Sequence, residues 1–310
     1  MTTHTPRPFP IPVVAAFGPG SQVNEDDEPL VTIDMPKDMA TFQPPPLPEP
    51  EELAAHAGAL AVLRAAHQAL LDRLAGKEVD PIDLGNLDAG DRAIVNQVLG
   101  EGEVAARAGA PAASLAGGTN GGPVRALVDT GLQVQESVFA GVWRVLALQD
   151  GVVVRDMIEI GAIPQGLVAA AEVDALGWTA PDLHALPGDV MNAPSILAEL
   201  RDKQARWTPG TPAHVVNLTL LPLTSGDSIW LETTLGAGSV VILSRGYGNC
   251  RVVNTRLPRT WRVTYFNSQD IIILDTLEVG PVPEVACAAV QDLEDSAERL
   301  AEVLDWVAAA

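Results

Sequence analysis

The chain has 310 residues, enough for two ordinary cores, and a net charge of −21. That charge argues against nucleic acid, whose phosphates call for basic stripes, and no apolar run approaches the ~20 residues of a membrane-spanning helix. Two cysteines, Cys250 and Cys287, are too few for a disulfide framework and lack zinc or iron–sulfur spacing, so no metal or cofactor is expected.

Residues 1–50 read as a Pro-rich acidic tail. Pro6, Pro8, Pro10 and Pro12, then Pro44 to Pro46, Pro48 and Pro50, remove backbone donors and favour extended segments. Between them Val13 to Phe17 form an apolar patch closed by Gly18-Pro19-Gly20, which reads as docking on the protein's own body or on a partner, the body being favoured. The start lacks the basic-then-apolar pattern of a secretory signal, so a cytoplasmic protein is expected. Acids cluster at Glu25, Asp26, Asp27 and Glu28, and again at Asp292, Glu294, Asp295, Glu298, Glu302 and Asp305. Such clusters read either as a solvated surface or as a field steering a basic partner, where complementarity raises the on-rate.

A helix is predicted from about Glu51 to Leu74, with Leu53, Leu60, Leu63, Leu70 and Leu74 on one face and Gly76 ending it. His67 on that face reads as a packed core residue.

Beyond Leu84 the chain matches itself. Leu84, Leu87, Gly90-Asp91, Leu99-Gly100, Gly102 and Val104 align with Leu220, Leu223, Gly226-Asp227, Leu235-Gly236, Gly238 and Val240. Thr130 then meets Thr255, and Trp143-Arg144-Val145 meets Trp261-Arg262-Val263. Asp156, Glu159, Gly161 and Pro164 meet Asp275, Glu278, Gly280 and Pro283. The expected fold is α+β: two tandem copies of a mixed module, each a short helix with an antiparallel sheet, and a closing helix. The domains are 51–175, the first copy with its leading helix; 176–212, a connector with a short helix at Pro194 to Arg206; and 213–310, the second copy. In the second copy Val215 to Leu221, Ser239 to Leu243, Cys250 to Thr255, Thr260 to Phe266 and Ile271 to Glu278 read as strands. Ser225 to Leu235 reads as a helix stopped by Gly236, and Leu293 to Val307 as a closing helix capped by Asp292. A duplicated module whose copies differ locally suggests a binding scaffold before an enzyme.

The copies differ most where the first has a small-residue loop, Gly109 to Gly122, and the second has Ser244 to Arg251. In the latter, Gly246 and Gly248 permit close approach, Arg245 and Arg251 offer planar donor forks, and Tyr247 is an amphipathic anchor; Asn249 and Cys250 complete it. Its other reading is a β-turn whose arginines pair with carboxylates such as Glu278. A neighbouring Arg251 would lower the Cys250 thiol pKa, yet the five histidines are scattered and neither build nor exclude a Cys/His pair. The loop 117–122 lacks the phosphate-binding patterns GxxxxGKS/T and GxGxxG. No catalytic apparatus is found.

Leu220 to Asp227, Leu235 to Gly238, Ile242 to Arg251, Trp261 to Ser268, Pro283 to Ala289 and Asp295 to Leu300, with Ile11 to Gln22 near the start, resemble the HupH/HyaF/HoxQ family. These are hydrogenase expression/formation proteins. The resemblance implies a non-enzymatic cytoplasmic chaperone in maturation of an uptake nickel–iron hydrogenase. Its expected partner is the iron–sulfur small-subunit precursor with its twin-arginine signal peptide, held before export alongside a thioredoxin-like companion chaperone. On that reading Glu25, Asp26, Asp27, Glu28, Glu294, Asp295 and Glu298 steer the client, and Arg245 to Arg251 contact it. A redox or cluster-transfer factor using Cys250, and a hydrogenase-processing enzyme, stay open as alternatives.

Overall fold

The computed structural model describes residues 47–109, 130–184, 186–246 and 248–309. Where one helix was expected from Glu51 to Leu74, there are two: α1 (Pro50–Ala55) and α2 (Ala57–Leu74). They part at His56, whose φ of −102° and ψ of 74° are non-helical. The cause is tertiary: the imidazole Nδ1–H donates to Asp91 Oδ1 at 2.9 Å. Asp91 comes so close to the first turn of α2 that a Cβ on Gly58 would collide with its carboxylate.

Among the described residues ten strands form one antiparallel sheet: β1 (Ile82–Asp83), β2 (Val104–Ala108), β3 (Thr130–Glu136), β4 (Val142–Gln149), β5 (Val152–Ile160), β6 (His214–Asn217), β7 (Ala237–Ser244), β8 (Asn249–Thr255), β9 (Thr260–Phe266) and β10 (Ile272–Val279). Their order is β1-β5-β4-β3-β2-β7-β8-β9-β10-β6, so the same path is traced twice and meets in the middle. There β2 pairs antiparallel with β7. Residues 44–310 are therefore one compact unit and not two separate bodies.

Each half has an 11-residue helix before its inner strand, α3 (Ala89–Leu99) and α6 (Ser225–Leu235). Local chemistry sets both ends. Asp88 and Thr224 accept from the backbone N–H of Asp91 and Asp227, and Gly100 and Gly236 close the helices at φ 54° and 62°. Register corrects one expected match. Glu136 lies opposite Trp143 and Asn254 opposite Trp261, whereas Thr130 lies opposite Gln149 at the far end of β3. Thr130 is thus not the counterpart of Thr255; the intervening loop hid the frame of β3.

One face of the sheet, with Ala106, Val134, Trp143, Val145, Ile242, Val252, Trp261 and Val263, is buried under α4 (Gln165–Ala175) and a 3-10 turn at Glu284–Ala286. The other face carries two helical cores. Over the first half lie α2, α3 and α7 (Val290–Ala308); over the second lie α5 (Ala193–Arg206) and α6. The trailing helices cross over: α4 follows the first half but packs on β7 and β8, while α7 follows the second and packs on α1 and α2. Polar contacts fix both crossings. Asp174 of α4 accepts from Ser239 N (2.6 Å), Ser239 Oγ (2.8 Å) and Asn254 Nδ2 (2.9 Å). Arg299 of α7 donates to the Val138 carbonyl at 3.0 Å.

Within the expected connector 176–212, α5 packs on α6 and β10 as α2 packs on α3 and β5, so this helix belongs with the second half. The strand expected over Val215 to Leu221 ends at Asn217 and continues as a 3-10 turn, Leu218–Leu220. The closing helix starts at Val290, earlier than expected, because Asp292 caps from inside its first turn, accepting from Ala289 N at 3.1 Å.

Candidate functional site

The repeated Trp-Arg-Val segments place an arginine on the helix-bearing face of each half, because side chains alternate along β4 and β9. Arg262 Nε and Nη2 donate to Asp275 at 2.9 and 2.7 Å, and its Nη1 is 3.7 Å from Glu232 of α6. In the first half Arg144 grips Asp156 in the same bidentate way and reaches Asn96 of α3. Each arginine staples its helix to the sheet, with the directionality of a planar fork on a carboxylate.

The halves differ above these pairs. Arg92 of α3 brings Nη1 within 3.6 Å of Asp156 and donates through Nη2 to the carbonyls of Leu84 and Leu87. Its counterpart in the frame of Gly90-Asp91 and Gly226-Asp227 is Ser228. Around Ser228 opens a cavity of about 660 Å³, walled by Leu221, Leu223, Leu231, Val241 and Val253, with Arg251, Arg262, Thr264, Asp275 and Glu232 as its charged and polar lining. That volume lies in the range of small-ligand or peptide side-chain sites.

Asp227 anchors the helices beside the cavity. Its Oδ1 accepts from Met191, Asn192 and Ala193 N at 2.7, 2.8 and 2.9 Å, and its Oδ2 from Thr224 N at 3.1 Å. Burial alone would raise its pKa, but the four backbone donors outweigh it and hold the carboxyl well below the usual range. One aspartate thereby closes the capping box of α6 and neutralises the N-terminus of α5. Asp91, its counterpart, serves α2 through His56.

The structure divides the residues anticipated at 245–251. Arg245, Gly246 and Gly248 are exposed between β7 and β8, Asn249 is exposed at the start of β8, and Arg245 N donates to the Glu103 carbonyl at 3.1 Å. Tyr247 lies outside the described residues, as do Glu25, Asp26, Asp27 and Glu28 and the apolar patch Val13 to Phe17. Cys250 is 3% exposed and faces the core under α4, so it offers no contact surface. Burial pushes its thiol up to about 11, against the expected lowering by Arg251. Strand alternation explains this: Arg251 emerges on the opposite face, with its guanidinium 5.5 Å from the Phe266 ring, at the cavity. Among the described residues neither Arg245 nor Arg251 forms an ion pair with Glu278.

Glu294, Asp295 and Glu298 are exposed on α7, opposite the buried Leu293, Ala297 and Leu300. Sequence reasoning passed over Ser228, Glu232 and Asp275 as cavity residues, although the pairing of Asp156 with Asp275 was a signal. It also passed over Glu136, which is buried at the end of β3. Burial, with Glu103 and Asp292 adding, pushes this carboxyl up to about 7 despite donors from Gly141 and Val104 N. Cys287 is pushed up to about 12 by burial and by Glu284 and Glu136. Among the described residues no group of three or more His, Cys, Asp or Glu could hold a metal ion, and no helix is long and apolar enough to cross a membrane.

Residues 190–307, from just before α5 through α7, match the C-terminal conserved region of the HupH hydrogenase expression protein. Over nearly its whole length the chain is 51% identical to the hydrogenase expression/formation protein HoxQ of Cupriavidus necator, covering 96% of this chain and 98% of that one. The chain belongs to the hydrogenase expression/formation protein family. It is 45% identical to HupH of Rhodobacter capsulatus, with 96% and 98% covered. To the hydrogenase-1 operon protein HyaF of Escherichia coli it is 31% identical, with 95% and 96% covered. A solved HupH from Thiobacillus denitrificans aligns at 28% identity over 38% of this chain and 96% of that one, with a TM-score of 0.34.

Proposed function

We propose that the protein is a non-catalytic chaperone of hydrogenase maturation in the cytoplasm, holding the iron–sulfur small-subunit precursor until its clusters are loaded. Family membership across nearly the full length carries the hydrogenase assignment. The chaperone role is supported by a scaffold with a 660 Å³ apolar-walled cavity and an acidic stripe on α7. A signal peptide with paired arginines and an apolar segment complements both features. Glu294, Asp295 and Glu298, with Glu25, Asp26, Asp27 and Glu28 of the tail, steer it. Arg245 and Arg251, with Tyr247 and the glycines of that segment, contact the client, Arg251 from the lining of the cavity. A thioredoxin-like companion shares the client. The burial of Cys250 and its raised pKa count against a redox or cluster-transfer role for that thiol.

Calorimetric titration with the small-subunit precursor, with and without its signal peptide and at two salt concentrations, tests the proposal. Binding that needs the signal peptide and weakens with salt is expected. Equal binding of the truncated subunit moves the client site to the mature fold, and no binding of either form overturns the direct-chaperone function.

A further inference from the structure

The first half of the molecule fills, with its own side chain, the place that the second half leaves open. Above Asp156, Arg92 supplies a second guanidinium beside that of Arg144 and is held by the Leu84 and Leu87 carbonyls. Above Asp275, Ser228 is too short to do so, and the cavity stands there instead. The charges differ in the same direction. Two guanidinium groups, Arg92 and Arg144, face one carboxylate in the first half. A single guanidinium, Arg262, faces the two carboxylates Asp275 and Glu232 in the second, because α6 has Glu232 where α3 has Asn96. Arg251 also lines the cavity but leans over Phe266.

We propose that this cavity is a subsite for an arginine side chain of a partner, which enters beside Ser228 and places its guanidinium against Asp275 and Glu232 as Arg92 does against Asp156. The leucine and valine walls suit the methylene stem and apolar neighbours of that arginine, and the paired carboxylates suit its planar donors. The partner is thus an arginine-bearing apolar segment. That it belongs to a hydrogenase small subunit rests on the function proposed above; the subsite itself rests on the comparison of the two halves.

The test is a fluorescence-anisotropy titration of the full chain with a labelled leucine–alanine peptide carrying one central arginine. The same peptide with citrulline, and one with lysine, serve as controls. The arginine peptide is expected to bind about tenfold tighter than the citrulline peptide, the worth of one charge-assisted contact. Ser228→Arg is expected to abolish that preference without lowering the melting temperature, since the first half accommodates the same residue at this place. Glu232→Asn, on an exposed helix position, is expected to weaken the arginine peptide several-fold with an unchanged melt. Equal affinity for arginine and citrulline overturns the subsite, and so does a preference that survives Ser228→Arg in a folded variant. If Ser228→Arg fails to fold, an unaltered preference in Glu232→Asn overturns it. Precursor binding that survives Ser228→Arg overturns the small subunit as the occupant of the subsite and keeps the chaperone; an arginine preference without precursor binding keeps the subsite and overturns the chaperone.

Discussion

Ala106 and Ile242 lie opposite each other where β2 pairs with β7, and the match of Val104 with Val240 makes each the counterpart of the other. The two halves are thus joined by main-chain hydrogen bonds at the middle of one sheet. Ile242 is fully buried there. Ile242→Ala is expected to cost about 2–4 kcal/mol and to lower the stability of both halves together. Urea unfolding followed by far-ultraviolet circular dichroism and tryptophan fluorescence checks this: the two curves should coincide.

Asp227 ties α5 to α6 through four backbone donors. Its folded-state pKa lies below the unfolded value, so its contribution is present above about pH 4 and is lost as pH falls through the folded value. Asp227→Asn should destabilise the protein at neutral pH and flatten the loss of stability on acidification. Chemical denaturation at several pH values measures both effects.

Glu136 has the opposite sign. Its pKa is raised from 4.5 to about 7, so stability is full below the unfolded value and falls as pH rises through about 7. Glu136→Gln keeps the acceptor for the Gly141 N–H and removes the buried charge. The variant should gain up to about 3 kcal/mol over wild type at pH 8 and nothing near pH 4, read from melting curves at the two pH values.

Cys250 should behave as an inert core thiol. In the native protein it is expected to resist a thiol-specific reagent and to react at full rate once unfolded, since burial holds the pKa near 11. Cys250→Ser should cost about 1–2 kcal/mol and leave client binding unchanged. Rapid native labelling of this residue would return the redox alternative to consideration.

How much of this was legible depended on how local the deciding interaction is. The helix Ser225–Leu235 was readable to the residue, because Thr224, Asp227 and Gly236 satisfy its end groups within a turn of the chain. The separate surroundings of Cys250 and Arg251 are also present in principle in the alternation of β8, since neighbours in sequence along a strand point to opposite faces.

Sequence by itself therefore determined the α+β class, the family and the repeated Gly-Asp and Trp-Arg-Val positions, all of which follow from short-range capping and strand chemistry. Tertiary structure decided the rest. His56 breaks the leading helix because of Asp91, 35 residues away. The trailing helices pack on the opposite half, where Asp174 and Arg299 find hydrogen-bond partners and the apolar stripe of α7 is buried. Arg92 reaches Asp156, whereas its counterpart Ser228 lines a cavity together with Asp275. Each of these turns on which side chains share a small volume, and that depends on register and packing between segments distant in the chain.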